Sequence, residues 1–328
     1  MSLTGRARHR MLILSLVLGG AIAAHSQVQP PSRQSVAENK AEEEKYYADA
    51  HPYLDQPISQ LKKTVDLLQG LKPAPDQDQL SALLTKLAAE TDEALPKIPN
   101  LLADEAVTET ARASSQRPVP SCLAGCLDAA SSLQRDLKFN YIILAHPAQS
   151  HVILLEEYRT SRDGKPVEGA DAPHFQGFAS LWAFFSSSDQ VELRFRYLGQ
   201  QKMDGHPAFV IGFAQIPGSI EYPAMIVTPR GTIPMLLQGI AWIDQADYRI
   251  IRLHADLLAP QPNFNYLKQT FDIEFGPARI PALSLDLWLP RSVDVATEAE
   301  SQIWREQHRY SKYRLYQAKS KIILSPTN

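Results

Sequence analysis

The feature that most constrains the fold is a long series of short segments in which apolar and polar residues alternate. Period-two alternation is typical of strands with one buried face. Asp163-Gly164 and Asp204-Gly205 fall between such segments and are strong hairpin signals. The predicted strands are 107–112, 141–144, 152–160, 191–198, 208–215, 240–243, 248–257, 266–275, 282–289 and 304–316. About ten antiparallel strands predict a large curved sheet and exclude a doubly wound parallel sheet.

The residues before these strands have a helical period. In 58–68 apolar side chains recur every three or four residues, and a second such run extends from Asp76 to Pro96. The fold class is therefore α+β: an N-terminal helical hairpin, then a strongly curved antiparallel half-barrel of about ten strands. Segment 178–185 is ambiguous between a strand and a short helix lying on the concave side of the sheet.

The N-terminus has the order of a secretory signal. Arg6, Arg8 and Arg10 precede an apolar run over 11–24. Cleavage is expected between residues 23 and 27; the alternative is an uncleaved anchor. No cysteine lies near the cleavage region, so a lipid-modified N-terminus is not expected.

The predicted organisation has four parts, and the mature protein is expected in the periplasm or the medium. The parts are a signal peptide 1–26, a Pro-rich linker 27–36, a helical region 37–100 and a β half-barrel domain 101–328. Loss of the signal removes three arginines and no acid, which makes the mature chain more acidic than the net charge of −3 of the full sequence. This balance disfavours nucleic acid as a partner.

Cys122 and Cys126 are the two cysteines of the chain. In an oxidising compartment a disulfide is the expected state, and Gly125 favours a loop in which it could close. Free thiols and a metal site are the alternatives.

Candidate catalytic groups are few. With 15 Gly and 24 Pro, the sequence contains no phosphate-binding glycine loop and no serine nucleophile elbow. His146 and His151 are interpreted as solvated loop residues, and His308 as part of a polar strand face. Asp244 and Asp247 bracket a tight turn, where aspartates satisfy backbone amides. No metal and no cofactor is expected, and an unrecognised hydrolase is kept as a third alternative.

The C-terminal segment interleaves aromatic residues with cations. Its members are Trp304, Arg305, His308, Arg309, Tyr310, Lys312, Tyr313, Arg314 and Tyr316. Such a composition can bind single-stranded nucleic acid. In an exported acidic protein, pairs across neighbouring strands are the better interpretation.

Several hairpin motifs resemble those of exported bacterial proteins related to lipoprotein-localisation carriers of the LolA and LolB type. The motifs are GIAWID at 239–244 with YRIIRL at 248–253, FRYLG at 195–199 with DGHPAFVI at 204–211, and the closing strand 308–314. The resemblance covers roughly residues 95–323 and departs from the family pattern at 122–136. It implies a half-barrel fold, and it carries over no catalytic residue.

The function hypothesis is a non-enzymatic carrier of an apolar or acyl-chain ligand in the cell envelope. The candidate ligand-lining residues are Trp182, Phe184, Phe185, Phe195, Phe213 and Trp242. The alternative is an interaction module for an envelope protein, in which these aromatic side chains only fill the core. No membrane segment is expected after signal cleavage.

Overall fold

The computed structural model describes most of the chain beyond its N-terminal segment. The described residues are 15–17, 33–114, 133–147, 153–167, 178–220, 223–280, 283 and 286–316. The α-helices among them are α1 Arg33–Tyr46, α2 Ile58–Thr64 and α3 Leu80–Ala94. The strands are β1 Ser15–Val17, β2 Lys72–Pro73, β3 Leu101–Ala113, β4 Leu133–Pro147, β5 Ile153–Thr160, β6 Leu193–Met203, β7 His206–Gln215, β8 Ala224–Thr228, β9 Gly231–Met235, β10 Leu237–Asp244, β11 Ile250–Leu257, β12 Tyr266–Arg279, β13 Asp286–Ala299 and β14 Gln302–Leu315.

Eleven of these strands form one antiparallel sheet. Their order is β2-β6-β7-β10-β11-β12-β13-β14-β3-β4-β5, so neighbours in sequence are mostly neighbours in space. Asp204 and Gly205 both have positive φ, of 49° and 92°, as the tight turn between β6 and β7 requires. The predicted antiparallel sheet of about ten strands is confirmed. The hairpin β8–β9, which pairs with β1 in a separate small sheet, was not predicted.

One short helix shows how strongly the large sheet curves. The 3-10 helix Phe178–Phe185, here called the inner segment, contacts β5 at one end and β6 at the other. Nine strand spacings separate β5 from β6, about 43 Å in a flat sheet. Eight residues of 3-10 helix extend only about 15 Å. The sheet must therefore curl around the inner segment, which lies on the concave face.

Two hydrophobic clusters lie on opposite faces of the sheet. On the concave face, α3 and the inner segment pack against residues such as Phe213 and Phe271. On the convex face, Leu61 of α2 packs with Val210 and Trp242. The strand alternation assigns these side chains to their faces, since Ile211 and Phe213 alternate with Val210.

The predicted helical hairpin is not observed. Helix α2 belongs to the convex cluster and α3 to the concave one, so each apolar helix face packs on the sheet instead of on the other helix. The physical reason is that this sheet has an apolar surface on both faces, and each needs a cover. Helix α1 begins at Arg33, inside the segment 27–36 predicted as a linker.

Three sequence predictions fall on parts of the chain that the structure does not describe. Cys122 and Cys126 lie outside the described residues, and so do His151 and the signal segment apart from β1. In the described part of the chain, no helix is long and apolar enough to cross a membrane.

Candidate functional site

The inner segment fills the concave face with aromatic side chains. The ring of Phe185 lies 5.5 Å from that of Phe213 and 5.9 Å from that of Phe195, and Phe184 lies 6.2 Å from Phe213. All but Phe195 are fully buried or nearly so. The sequence FASLWAFF of Phe178–Phe185 shows no alternation of apolar and polar residues, and most of its side chains pack on apolar surface from α3 or from the sheet.

Five of the six predicted ligand-lining residues lie together on the concave face: Trp182, Phe184, Phe185, Phe195 and Phe213. Trp242 does not. Its ring is fully buried on the convex face among side chains from the segment around Leu61, and its Nε1 donates to Gln201 Oε1 at 3.3 Å. Trp242 therefore lies on the opposite face of the sheet from the other five.

Trp182 also reaches a small pocket at the end of α3. This pocket, of about 40 Å³, has an apolar wall of Ala94, Ile98, Leu287 and Trp288 beside Trp182. Its rim is charged, with Glu90, Glu93, Lys97 and Asp286. A volume of this size holds one or two water molecules and no acyl chain.

A buried charged cluster adjoins the aromatic wall on β14, β3 and β5. Arg159 donates to both carboxylate oxygens of Glu105, at 2.6 and 2.8 Å. His308 lies between Glu105 and Glu306, with Nδ1 and Nε2 at 2.9 and 3.1 Å from their oxygens. The side chains of Glu105, Glu306 and His308 are inaccessible to solvent.

The pKa values in this cluster follow from its charges. Burial would raise the pKa of Glu105, but Arg159 and His308 outweigh it and lower that pKa to about 2. Burial would lower the pKa of His308, but the hydrogen bonds with Glu105 and Glu306 raise it. Both ring nitrogens of His308 face carboxylate oxygens, and this geometry favours the protonated ring.

Glu157 links this polar region to the inner segment. Its carboxylate accepts hydrogen bonds from the hydroxyl of Tyr141 at 2.5 Å and from the backbone N–H groups of Phe178 and Ala179 at 3.1 and 2.8 Å. The first N–H groups of a helix have no partner within it, and a carboxylate is a strong acceptor for them. Glu157 therefore caps the inner segment.

His308 lies among charged side chains on its strand face, as predicted, but this polar face is turned into the protein instead of toward solvent. His308 is fully buried, and the ring of Phe178 packs 5.1 Å from its own. A signal was present in the sequence: Glu105 has the same parity along β3 as the apolar residues Ala103 and Val107, which places a carboxylate on the buried face. A polar residue that shares its strand face with buried apolar residues indicates a buried polar site.

The other chemical candidates behave as turn and surface residues. Asp244 accepts from the backbone N–H of Ala246 at 2.7 Å and Asp247 from that of Arg249 at 3.1 Å, as predicted for turn aspartates. His146 is half-exposed and lies 3.3 Å from Glu156. Among the described residues, no group of three or more His, Cys, Asp or Glu side chains is arranged so that it could hold a metal ion.

Comparison with known proteins gives structural neighbours only. No family model matches the chain, and no curated protein matches it. A LolA superfamily protein from Nitrosomonas europaea is 9% identical over 72% of this chain and 94% of its own, with a TM-score of 0.34. A putative outer membrane lipoprotein-sorting protein domain from Vibrio parahaemolyticus is 13% identical over 73% and 93%, with a TM-score of 0.33.

A third solved structure is similar over much of the chain. It is a DUF1329 family protein from Desulfovibrio piger, 12% identical over 74% of this chain and 95% of its own, with a TM-score of 0.35.

Proposed function

We propose that this protein is an exported, non-enzymatic carrier that holds an apolar chain against the concave face of its sheet. The observation that supports the proposal is the position of the inner segment. Phe178–Phe185 covers the concave face, yet it is a 3-10 helix outside the strand ladder of the sheet. Its departure would uncover Phe195 and Phe213 without breaking a strand pair. A ligand chain can take its place.

The two ends of the inner segment differ in their surroundings, which suggests how a ligand would lie. Phe184 and Phe185 pack on apolar side chains, whereas Phe178 packs on His308 and is capped by Glu157. An amphiphile matches both environments when its apolar chain lies at the Phe184–Phe185 end and its polar group lies at the Phe178 end. Sites with an apolar wall and a few convergent polar groups are typical of ligand binding.

The test compares two tryptophans that the sheet separates. Titration with a pyrene-labelled fatty acid is carried out on the wild type, on Trp182→Ala and on Trp242→Ala. Both variants remove a buried tryptophan and lose about 3–5 kcal/mol of stability, so each is measured at a temperature where it is folded. We expect probe binding by the wild type and by Trp242→Ala, and tighter binding by Trp182→Ala, because a less firmly packed inner segment takes less energy to displace.

The export part of the proposal has its own test. N-terminal sequencing of the protein purified from its cells is expected to begin between residues 24 and 27. An intact Met1 on the mature protein would contradict cleavage. Native mass spectrometry of the same preparation is expected to show a bound acyl species.

The second candidate is an envelope interaction module, and the closely filled concave face favours it. Phe178, Phe185 and Phe213 are almost fully buried, as they would be if the inner segment were permanent core. A wild type that binds no probe and has the mass of the bare chain, together with a co-purifying protein partner, would support this candidate and overturn the carrier proposal.

A further inference from the structure

The cations of the C-terminal segment are separated from its aromatic residues by the pleat of β14. Glu306, His308 and Tyr310 point to the concave face and are buried, whereas Arg305 and Arg309 alternate with them and are exposed on the convex face. The mixture of cations and aromatics in the sequence is thus resolved into two different surfaces. The convex one carries the positive charge.

Neighbouring strands extend this convex surface. Arg309 lies opposite Ala106 of β3, and Ala106 lies opposite Lys138 of β4, so two cations flank an exposed alanine. Arg305 and Lys138 form no ion pair with any residue in the described ranges. We define the basic face as Lys138, Arg162, Arg305, Arg309, Lys312 and Arg314.

One carboxylate of this face is shared by three cations. Asp104 lies 2.8 Å from Arg162, 3.1 Å from Arg314 and 3.3 Å from Lys312. Burial would raise the pKa of Asp104, but hydrogen bonds from the three cations lower it to about 2. One negative charge cannot neutralise three positive ones, so an excess of positive charge remains.

The remaining acids on this surface do not cancel that excess. Asp294 lies 3.4 Å from Arg309, and Asp136 accepts from the hydroxyl of Thr108. Glu156 of β5, Glu298 of β13 and Arg112 of β3 lie on the same side, so seven cations face five carboxylates on a chain whose net charge is −3. A basic face on an acidic protein orients it toward an anionic partner.

The shape of the basic face favours an extended partner. The cations are spread over a sheet surface of three strands and the turn after β5, with the small Ala106 between them. Tyr158, 47% exposed on the convex side of the edge strand β5, adds an amphipathic ring of the kind enriched at bilayer interfaces. Cations spread over an open surface can each contact a different phosphate of an extended anionic surface.

We propose that the basic face docks the protein on a bilayer surface rich in anionic phospholipid headgroups. This inference is independent of what the concave face carries. Each Lys or Arg near an anionic bilayer strengthens binding about fivefold, and the attraction is screened by salt.

The test is cosedimentation of the purified protein with two kinds of vesicle: phosphatidylcholine alone, and phosphatidylcholine with phosphatidylglycerol. The test variant, Lys138→Gln/Arg305→Gln/Lys312→Gln, removes three exposed cations of the basic face. The matched control, Lys63→Gln/Lys72→Gln/Lys202→Gln, removes three exposed lysines near the opposite edge of the sheet. Thermal unfolding of both is expected to match the wild type, since every substituted side chain is exposed.

We expect wild type and control to bind the anionic vesicles at low salt and to be released at high salt. The basic-face variant is expected to bind roughly a hundredfold more weakly, from about fivefold for each charge. Equal losses in both triple variants would show a diffuse net-charge effect and overturn the proposal. So would binding to soluble polyglutamate without binding to anionic vesicles, which would indicate an acidic protein partner.

Discussion

The carboxylate of Glu157 accepts a 2.8 Å hydrogen bond from the backbone N–H of Ala179 and thereby joins an edge strand to the helix that fills the concave face. The same carboxylate accepts from Phe178 and Tyr141. Since the inner segment forms no strand pair in the sheet, its place depends on apolar packing and on this cap. Substitution of Glu157 therefore distinguishes the two hypotheses for the concave face: an inner segment that a ligand can displace, and an inner segment that is permanent core.

The first prediction concerns Glu157→Ala. The substitution leaves two backbone donors and the Tyr141 hydroxyl without their shared acceptor, so we expect the free energy of unfolding to fall by about 1–3 kcal/mol. If the inner segment gives way to a ligand, its weaker attachment also raises the affinity for the pyrene-labelled fatty acid, because less energy is spent on displacing it. Chemical denaturation and probe titration measure the two effects.

The neighbouring Glu156→Ala is the control for this experiment. Glu156 points to the opposite face, where it contacts Tyr158 and His146, and its loss is expected to change neither quantity by a comparable amount. Reduced stability of Glu157→Ala without any probe binding would favour permanent core.

The strands were predictable because most of them have one face in the core and one in solvent. In β3, Leu101, Ala103 and Val107 alternate with less buried residues along the whole strand. In β10 all eight residues from Leu237 to Asp244 are buried, since α2 and its neighbours cover the convex side. There the sequence cannot tell the two faces apart, and this is why Trp242 was grouped with side chains of the concave face.

The polar site was harder to predict than the sheet. Glu105, Arg159 and His308 are separated by 54 and 149 residues along the chain, and only the pairing of β14 with β3, β3 with β4 and β4 with β5 brings them together. Register between distant strands is not encoded locally. The odd or even position of a residue along its strand predicts the face of the sheet on which its side chain lies. It does not predict which residues of the neighbouring strands will contact that side chain.

The second prediction compares a buried and an exposed ion pair. Arg159→Met leaves Glu105 buried without its bidentate partner, and we expect a loss of about 3–5 kcal/mol in the free energy of unfolding. Arg194→Met removes an exposed pair with Asp55 and is expected to lose no more than about 1 kcal/mol. Equal losses, measured by denaturant titration, would contradict the burial of the Glu105 cluster.

The third prediction concerns the glycine beneath Phe213. A Cβ on Gly239 would lie 2.1 Å from the carbonyl oxygen of His254 and 2.7 Å from the ring of Phe213. Gly239→Ala must shift the strand or the ring, so we expect a loss of about 1–3 kcal/mol. In Gly212→Ala the nearest atom is a flexible methyl of Leu54 at 3.2 Å, and a smaller loss is expected. Thermal unfolding of the two variants checks the order.

The last prediction rests on a second histidine cluster, on the convex face. His254 Nδ1 lies 2.9 Å from Asp272 and its Nε2 2.9 Å from Asp256, which also accepts from Tyr53 and Thr270. Burial would lower the pKa of His254, but the two aspartates outweigh it and raise the pKa from 6.5 to about 9. The imidazolium therefore helps to hold the segment around Tyr53 on the sheet.

A histidine whose pKa is higher in the folded state stabilises the fold below its unfolded pKa and loses that effect as the pH rises through the folded pKa. For His254 the stabilisation is complete below about pH 6.5 and disappears by about pH 9, and it amounts to about 3 kcal/mol. We expect the free energy of unfolding of the wild type to fall over this interval more steeply than that of His254→Gln, which cannot titrate. His308, whose pKa is also raised, is present in both proteins and cancels in the difference. Parallel curves from denaturant titrations between pH 6 and pH 9.5 would contradict a charged His254.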